Sequence, residues 1–105
     1  MGLDVSLRIK NVNIGEYNEI DSYRGMSFEF LKEYATRHDL YGRDIEITDD
    51  LYELFVAECL LVLREQGFTH NDLGADWGIM GFLKQISLRD YWKRFGYTLC
   101  VNVDW

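Results

Sequence analysis

Proline is absent from the 105 residues, where average usage would supply about five. Stiff proline-rich spacers and PxxP docking peptides are thereby excluded. Cysteine is scarce too: Cys59 and Cys100 stand alone, which makes neither a disulfide framework nor a paired-cysteine zinc site. Histidine is limited to His38 and His70. No run of about 18 apolar residues occurs, so no membrane span is expected. No charged-then-apolar leader opens the chain, so secretion by a signal peptide is not expected. Basic residues are also in short supply: 11 Lys and Arg face 18 Asp and Glu, for a formal charge of −7 and an isoelectric point near 4.7. That balance repels duplex phosphate, so direct nucleic-acid binding is not expected.

What is present is material for a core. Hydrophobic residues make up 48% of the chain and aromatic ones 15%, which argues for a packed globule. The length suits one domain spanning 1–105. No repeat, low-complexity tract or linker divides it.

Charge is unevenly spread. Between Asp39 and Glu58 stand Asp39, Asp44, Glu46, Asp49, Asp50, Glu53 and Glu58, with Arg43 as the one base. The stretch before it is nearly neutral, and the stretch from Trp77 to Trp105 is weakly basic. This segment therefore holds most of the excess negative charge. It reads either as a solvated helix start or as a patch that steers a basic partner.

Periodicity predicts the elements. Leu3, Val5, Leu7 and Ile9 alternate with Asp4, Ser6, Arg8 and Lys10, the pattern of a half-buried strand. Tyr97, Leu99, Val101, Val103 and Trp105 repeat it at the far end. Two such strands are expected to pair with each other. Val12, Ile14 and Tyr17 suggest a third strand with Gly15 as a turn or bulge, and Ile45 with Ile47 a short fourth. Ser27 is expected to cap a helix to about His38, with Phe28, Leu31, Ala35 and His38 on its packed face. Asp50 and Glu53 have capping-box spacing for a helix to Gln66, with Gly67 as its left-handed stop and Phe68 folding back on Leu63. Its run from Cys59 to Leu63 is wholly apolar, which predicts a central helix with no wet face at that end. Ile79, Phe82, Leu83 and Ile86 fit a further helical stripe, despite Gly78 and Gly81. Ser87 with Asp90 should cap a last helix that stops at Gly96. The expected fold is α+β: a small, mainly antiparallel sheet including both terminal strands, packed on one face by three to four helices.

Chemistry-bearing motifs are sparse. His70, Asp72 and Asp76 are acceptable metal ligands by type, but Thr69 and Asp72 have helix-capping spacing. No metal or cofactor is therefore expected. Cys59 lies in the most apolar stretch, where a thiol behaves as a small hydrophobe. Cys100 falls on the outward face of the last strand and is expected near the surface. GADWGIMG matches no phosphate-binding pattern; its glycines read as close helix packing, with Trp77 as the aromatic beside them. Sixteen Phe, Trp and Tyr residues exceed what so small a core readily hides. Tyr17, Tyr23, Tyr41, Tyr52, Trp92 and Trp105 are candidates for partial exposure, and such residues serve interfaces well.

The opening MGLDV resembles the start of small uncharacterised phage and bacterial proteins. The resemblance implies a cytoplasmic accessory protein, of the kind in which small acidic chains act as inhibitors or immunity proteins. Combined with the charge pattern, the expectation is a non-enzymatic protein-binding module that occludes a basic partner surface, in one subtype that of a nucleic-acid-binding enzyme, with spaced carboxylates imitating phosphates. Asp44, Glu46, Asp49, Asp50 and Glu53 would supply the field, and Tyr41 and Tyr52 the buried contact. The alternative is a small enzyme or ligand-binding protein with its site around His70, Asp72, Asp76 and Trp77. A third expectation is a homodimer formed by an end strand at the sheet edge.

Overall fold

The structure, a computed structural model, describes residues 3–65 and 73–105; the side chains of Met26 and of residues 73–77 stand outside that description. It is an α+β fold, as the end-strand patterns predict. Four strands, β1 (Asp4–Asn11), β2 (Tyr17–Arg24), β3 (Asp44–Glu46) and β4 (Tyr97–Asp104), form a sheet in the order β2-β1-β4-β3. Every neighbouring pair is antiparallel. Four α-helices are described: α1 (Glu29–Arg37), α2 (Asp49–Glu65), α3 (Leu73–Ile86) and α4 (Arg89–Arg94).

The register of β1 on β4 fixes the two faces. Val5 pairs with Val103, Leu7 with Val101 and Ile9 with Leu99, so the aliphatic sets of both strands share the inner face. Leu31 and Ala35 of α1, Phe55, Cys59 and Leu63 of α2, and Ile79, Phe82 and Ile86 of α3 join them in one buried cluster. On the outer face Arg8 pairs with Cys100 and Ser6 with Asn102. Both interior strands are the terminal ones. The edges belong to β2 and β3, so neither end strand stands at the sheet edge, where self-pairing was expected.

Val12 and Ile14 are not strand residues. They occupy the turn between β1 and β2, where the Asn11 side chain accepts from the Asn13 N–H at 2.9 Å and Gly15 takes a φ of +73°. Turning there lifts both side chains into solvent. The strand itself runs later, and a bulge between Leu7 and Arg8 skips Ile20. The bulge resets the alternation, which turns Tyr23 inward opposite Val5. Tyr23 is consequently buried rather than exposed; its hydroxyl donates to Asp21 at 2.8 Å.

Helix starts also differ from expectation. A 3-10 turn, Met26–Phe28, precedes α1, and Phe28 occupies the N-cap with no side-chain cap bond. Phe28 instead goes into the core, 5.4 Å from the Tyr23 ring and 5.5 Å from Phe82. His38 ends α1 exposed, stacked at 4.4 Å on Tyr34. It does not reach the core because Asp39, at φ +55°, turns the chain so that the Leu40 N–H meets the Ala35 carbonyl. α2 begins two residues earlier than the capping-box spacing suggests, since Thr48 Oγ1 accepts from the Leu51 N–H at 3.3 Å. Gln66, Gly67 and Phe68 lie outside the described residues. Ser87 does not cap α4: its hydroxyl donates back to the Leu83 carbonyl at 2.7 Å, and Leu88 is the N-cap. Gly96, at φ +81°, ends α4 as anticipated.

The central-helix expectation fails at one face. Cys59 and Leu63 are buried, whereas Leu60 and Leu61 remain 48% and 47% exposed. α2 therefore lies on the sheet with one side open, and an apolar sequence run does not by itself secure burial.

Candidate functional site

The acidic segment begins on the outer face of the sheet. β3 adds to β4 with Asp44 opposite Asn102 and Glu46 opposite Cys100. Asp44 accepts from Arg8 Nη1 at 3.2 Å and from Asn102 Nδ2 at 3.0 Å. Asn102 also donates to the Gly42 carbonyl at 3.0 Å, which ties the loop before β3 to the sheet. This carboxylate thus has a structural task, and its charge is offset by Arg8.

Cys100 lies beneath the same network. Its position is outward, as the alternation predicts, yet it is buried. Its cross-strand neighbours Arg8 and Glu46 are long, and such stems shield a short side chain between them. Burial pushes the Cys100 thiol up to about 11 and the Cys59 thiol up to about 12. Neither is a thiolate at neutral pH, so neither offers a ready nucleophile.

The chain then turns into α2. Arg89 reaches across from the start of α4 and pairs with Asp49 at 2.6 Å and with Asp90 at 3.4 Å. The same guanidinium donates to the Ile47 carbonyl at 3.4 Å and lies 5.2 Å above the Tyr52 ring. Tyr52 is consequently half-buried beneath an arginine. Beside this corner is a depression of about 250 Å³, lined among others by Glu46, Thr48, Asp49, Arg89, Lys93 and Tyr97. Its walls carry both signs of charge.

Asp50 and Glu53 differ from Asp44 and Asp49. Both are exposed in the first two turns of α2, and no cation among the described residues pairs with either. The positive end of the helix dipole stabilises them there. Glu46 is likewise exposed and without such a pair. Toward the helix middle the open face continues into Leu54, 42% exposed.

The two tyrosines do not meet. Tyr41 lies on the loop before β3, where its hydroxyl can donate to Asp104 at 2.9 Å or to the Trp105 carbonyl at 3.0 Å. Its ring contacts Trp105 edge-on at 4.6 Å. The Gly42 N–H bonds Val103 and the Ile47 N–H bonds Leu99, so Tyr41 and Tyr52 belong to opposite ends of β4. The segment therefore folds into three parts: Tyr41 at the chain's end, Asp44 in the outer network, and Glu46, Asp49, Asp50 and Glu53 around the start of α2.

For the alternative site, His70 and Asp72 lie outside the described residues, while Asp76 and Trp77 belong to α3 with side chains outside them. Among the described residues no three His, Cys, Asp or Glu side chains gather as metal ligands. No helix among them is long and apolar enough to cross a membrane. Reading the sequence did not single out Arg8, Asn102 or Arg89, whose pairing with the acidic segment depends on contacts 36 to 58 positions away. Comparisons of the chain with family models, with curated proteins and with solved structures found no match, so the site is read from its own chemistry.

Proposed function

We propose that this chain is a non-enzymatic protein-binding module of the inhibitor or immunity kind, which sets the start of α2 against a basic partner surface. The observation that carries the reading is the contrast within one segment. Asp44 and Asp49 are each held by an arginine, whereas Asp50 and Glu53, with Glu46 nearby, are exposed without one. Uncompensated charge on a rigid helix steers encounter and sets orientation. Leu54, in the next turn, adds apolar contact. Two thiols kept protonated by burial favour binding over covalent chemistry.

The test is Asp50→Lys combined with Glu53→Lys, used as bait beside the wild type in native lysate at low and high salt. Each reversal gives up helix-dipole stabilisation of about 0.3–1 kcal/mol, so the fold should survive. The wild type should retain a basic protein at low salt and release it as salt rises, and the double variant should retain none. A partner held equally by both baits would refute the role of this corner.

A further inference from the structure

The open side of α2 runs on past Asp50, Glu53 and Leu54, the part that the partner-binding reading uses. Leu54, Ala57, Leu60 and Leu61 are all exposed, and at 3.6 residues per turn they share one stripe of the helix with Asp50, Glu53 and Arg64, about 120° wide. The stripe starts acidic, runs apolar through its middle and ends on a base. Arg64 is exposed and has no ion-pair partner among the described residues.

We infer that this stripe pairs with the same stripe of a second copy, the two α2 helices lying antiparallel across a two-fold axis at Ala57. A symmetric contact must be self-complementary, and the order of residues satisfies that in one direction only. Antiparallel, Asp50 lies opposite Arg64 of the second copy, and Leu54 lies on the same edge of the contact as its Leu61. Glu53 lies on the other edge, beside Leu60 of the second copy and about one turn from that same Arg64. Ala57 meets its own copy, and a small side chain at the crossing lets the backbones approach. Parallel, Asp50 and Glu53 would face their own copies and repel. Glu65, also exposed at the helix end, offsets part of the gain. Leucine burial therefore drives the contact, and the charges choose its direction.

One helix face buries less than the roughly 1,200–2,000 Å² of a standard stable interface, so the dimer is weak and concentration-dependent. The contact is closed by its symmetry and forms no filament. It shares Asp50, Glu53 and Leu54 with the proposed partner surface, so the two contacts exclude each other, and the purified chain alone tests the dimer apart from any partner.

Sedimentation equilibrium from about 10 μM to about 1 mM spans the affinities expected of so small a contact. The average mass should climb from 12.4 kDa toward twice that value. Leu61→Glu, on an exposed position, should keep the native circular dichroism and remain monomeric. Asp50→Arg and Arg64→Asp should each weaken association at least about fivefold, since each replaces an attraction with a repulsion at two symmetric places. Combined, they should restore it to within about twofold, because the pair is re-formed with its signs exchanged. Monomeric mass throughout, a dimer indifferent to Leu61→Glu, or no recovery in the combined variant would each overturn the inference.

Discussion

Gly78 and Gly81 sit one turn apart on α3, and alanine at the two positions should give different results. In an exposed helix interior either replacement gains about 1 kcal/mol from helix propensity. At Gly81 a Cβ would meet Tyr23 Cε1 at 3.4 Å, an ordinary contact, so most of the gain should survive. At Gly78 it would stand 3.3 Å from Phe28 Cε2 and 3.6 Å from Cζ. Phe28 is 1% exposed and has aromatic neighbours in Tyr23, Phe30 and Phe82, with ring centroids 5.4, 6.4 and 5.5 Å away. It cannot yield freely, and overpacking a tight core costs about 1–3 kcal/mol. Gly81→Ala should therefore stabilise by up to about 1 kcal/mol, and Gly78→Ala should be neutral or destabilise by up to about 2 kcal/mol. Thermal unfolding followed by tryptophan fluorescence resolves this, because a difference of about 1 kcal/mol shifts the melting temperature by about 4–8 °C in a domain this size. Equal stabilisation by both substitutions would refute the close approach of α3 to Phe28.

Among the described residues three buried groups hold their protons more tightly folded than unfolded: Cys59 and Cys100, through burial, and Tyr23, through burial and its bond to Asp21. Above the unfolded thiol pKa of about 8.5 the unfolded chain loses protons that the native state keeps, so stability should be full below that pH. It should then fall from about pH 9 toward 12, by at most about 1.4 kcal/mol per pH unit for each group. Unfolding free energy unchanged between pH 8 and 10.5 would contradict this, and a thiol reagent at pH 8 should react with the native protein far more slowly than with the unfolded one. For the outer network, a double-mutant cycle of Arg8→Ala and Asp44→Ala should give a coupling of about 0.5–1.5 kcal/mol, above the exposed-pair norm because the pair is partly shielded. Zero coupling would mean that Asn102 alone orders Asp44.

The legible parts of the fold are those where burial and spacing coincide. β1 and β4 are central strands with one face covered and one polar, so their alternation is clean and even their mutual pairing follows. β2 could not be read because an edge strand with a bulge obeys no single period. Tyr17–Arg24 buries Tyr23 alone among its residues. α2 was legible as a helix, but its surroundings were not: Cys59 to Leu63 is uniformly apolar, and whether a leucine finds a neighbour depends on where the helix lands. The acidic segment was visible as composition. Its division into partnered and free carboxylates was not, because Arg8 and Arg89 approach from distant strand and helix positions.

The strand order has a consequence for how the chain acquires its shape. β4, made after the other three described strands, lies between β1 and β3, so the opening hairpin and the short edge strand have no sheet in common until it arrives. Closing contacts such as Val5 with Val103 span nearly the whole length, and pairings of that sequence separation are slow to form. During synthesis the first strands must therefore wait with one edge and one apolar face unsatisfied. Chaperones would find a client in that interval, and a premature stop before Tyr97 should leave an aggregating fragment instead of a smaller domain.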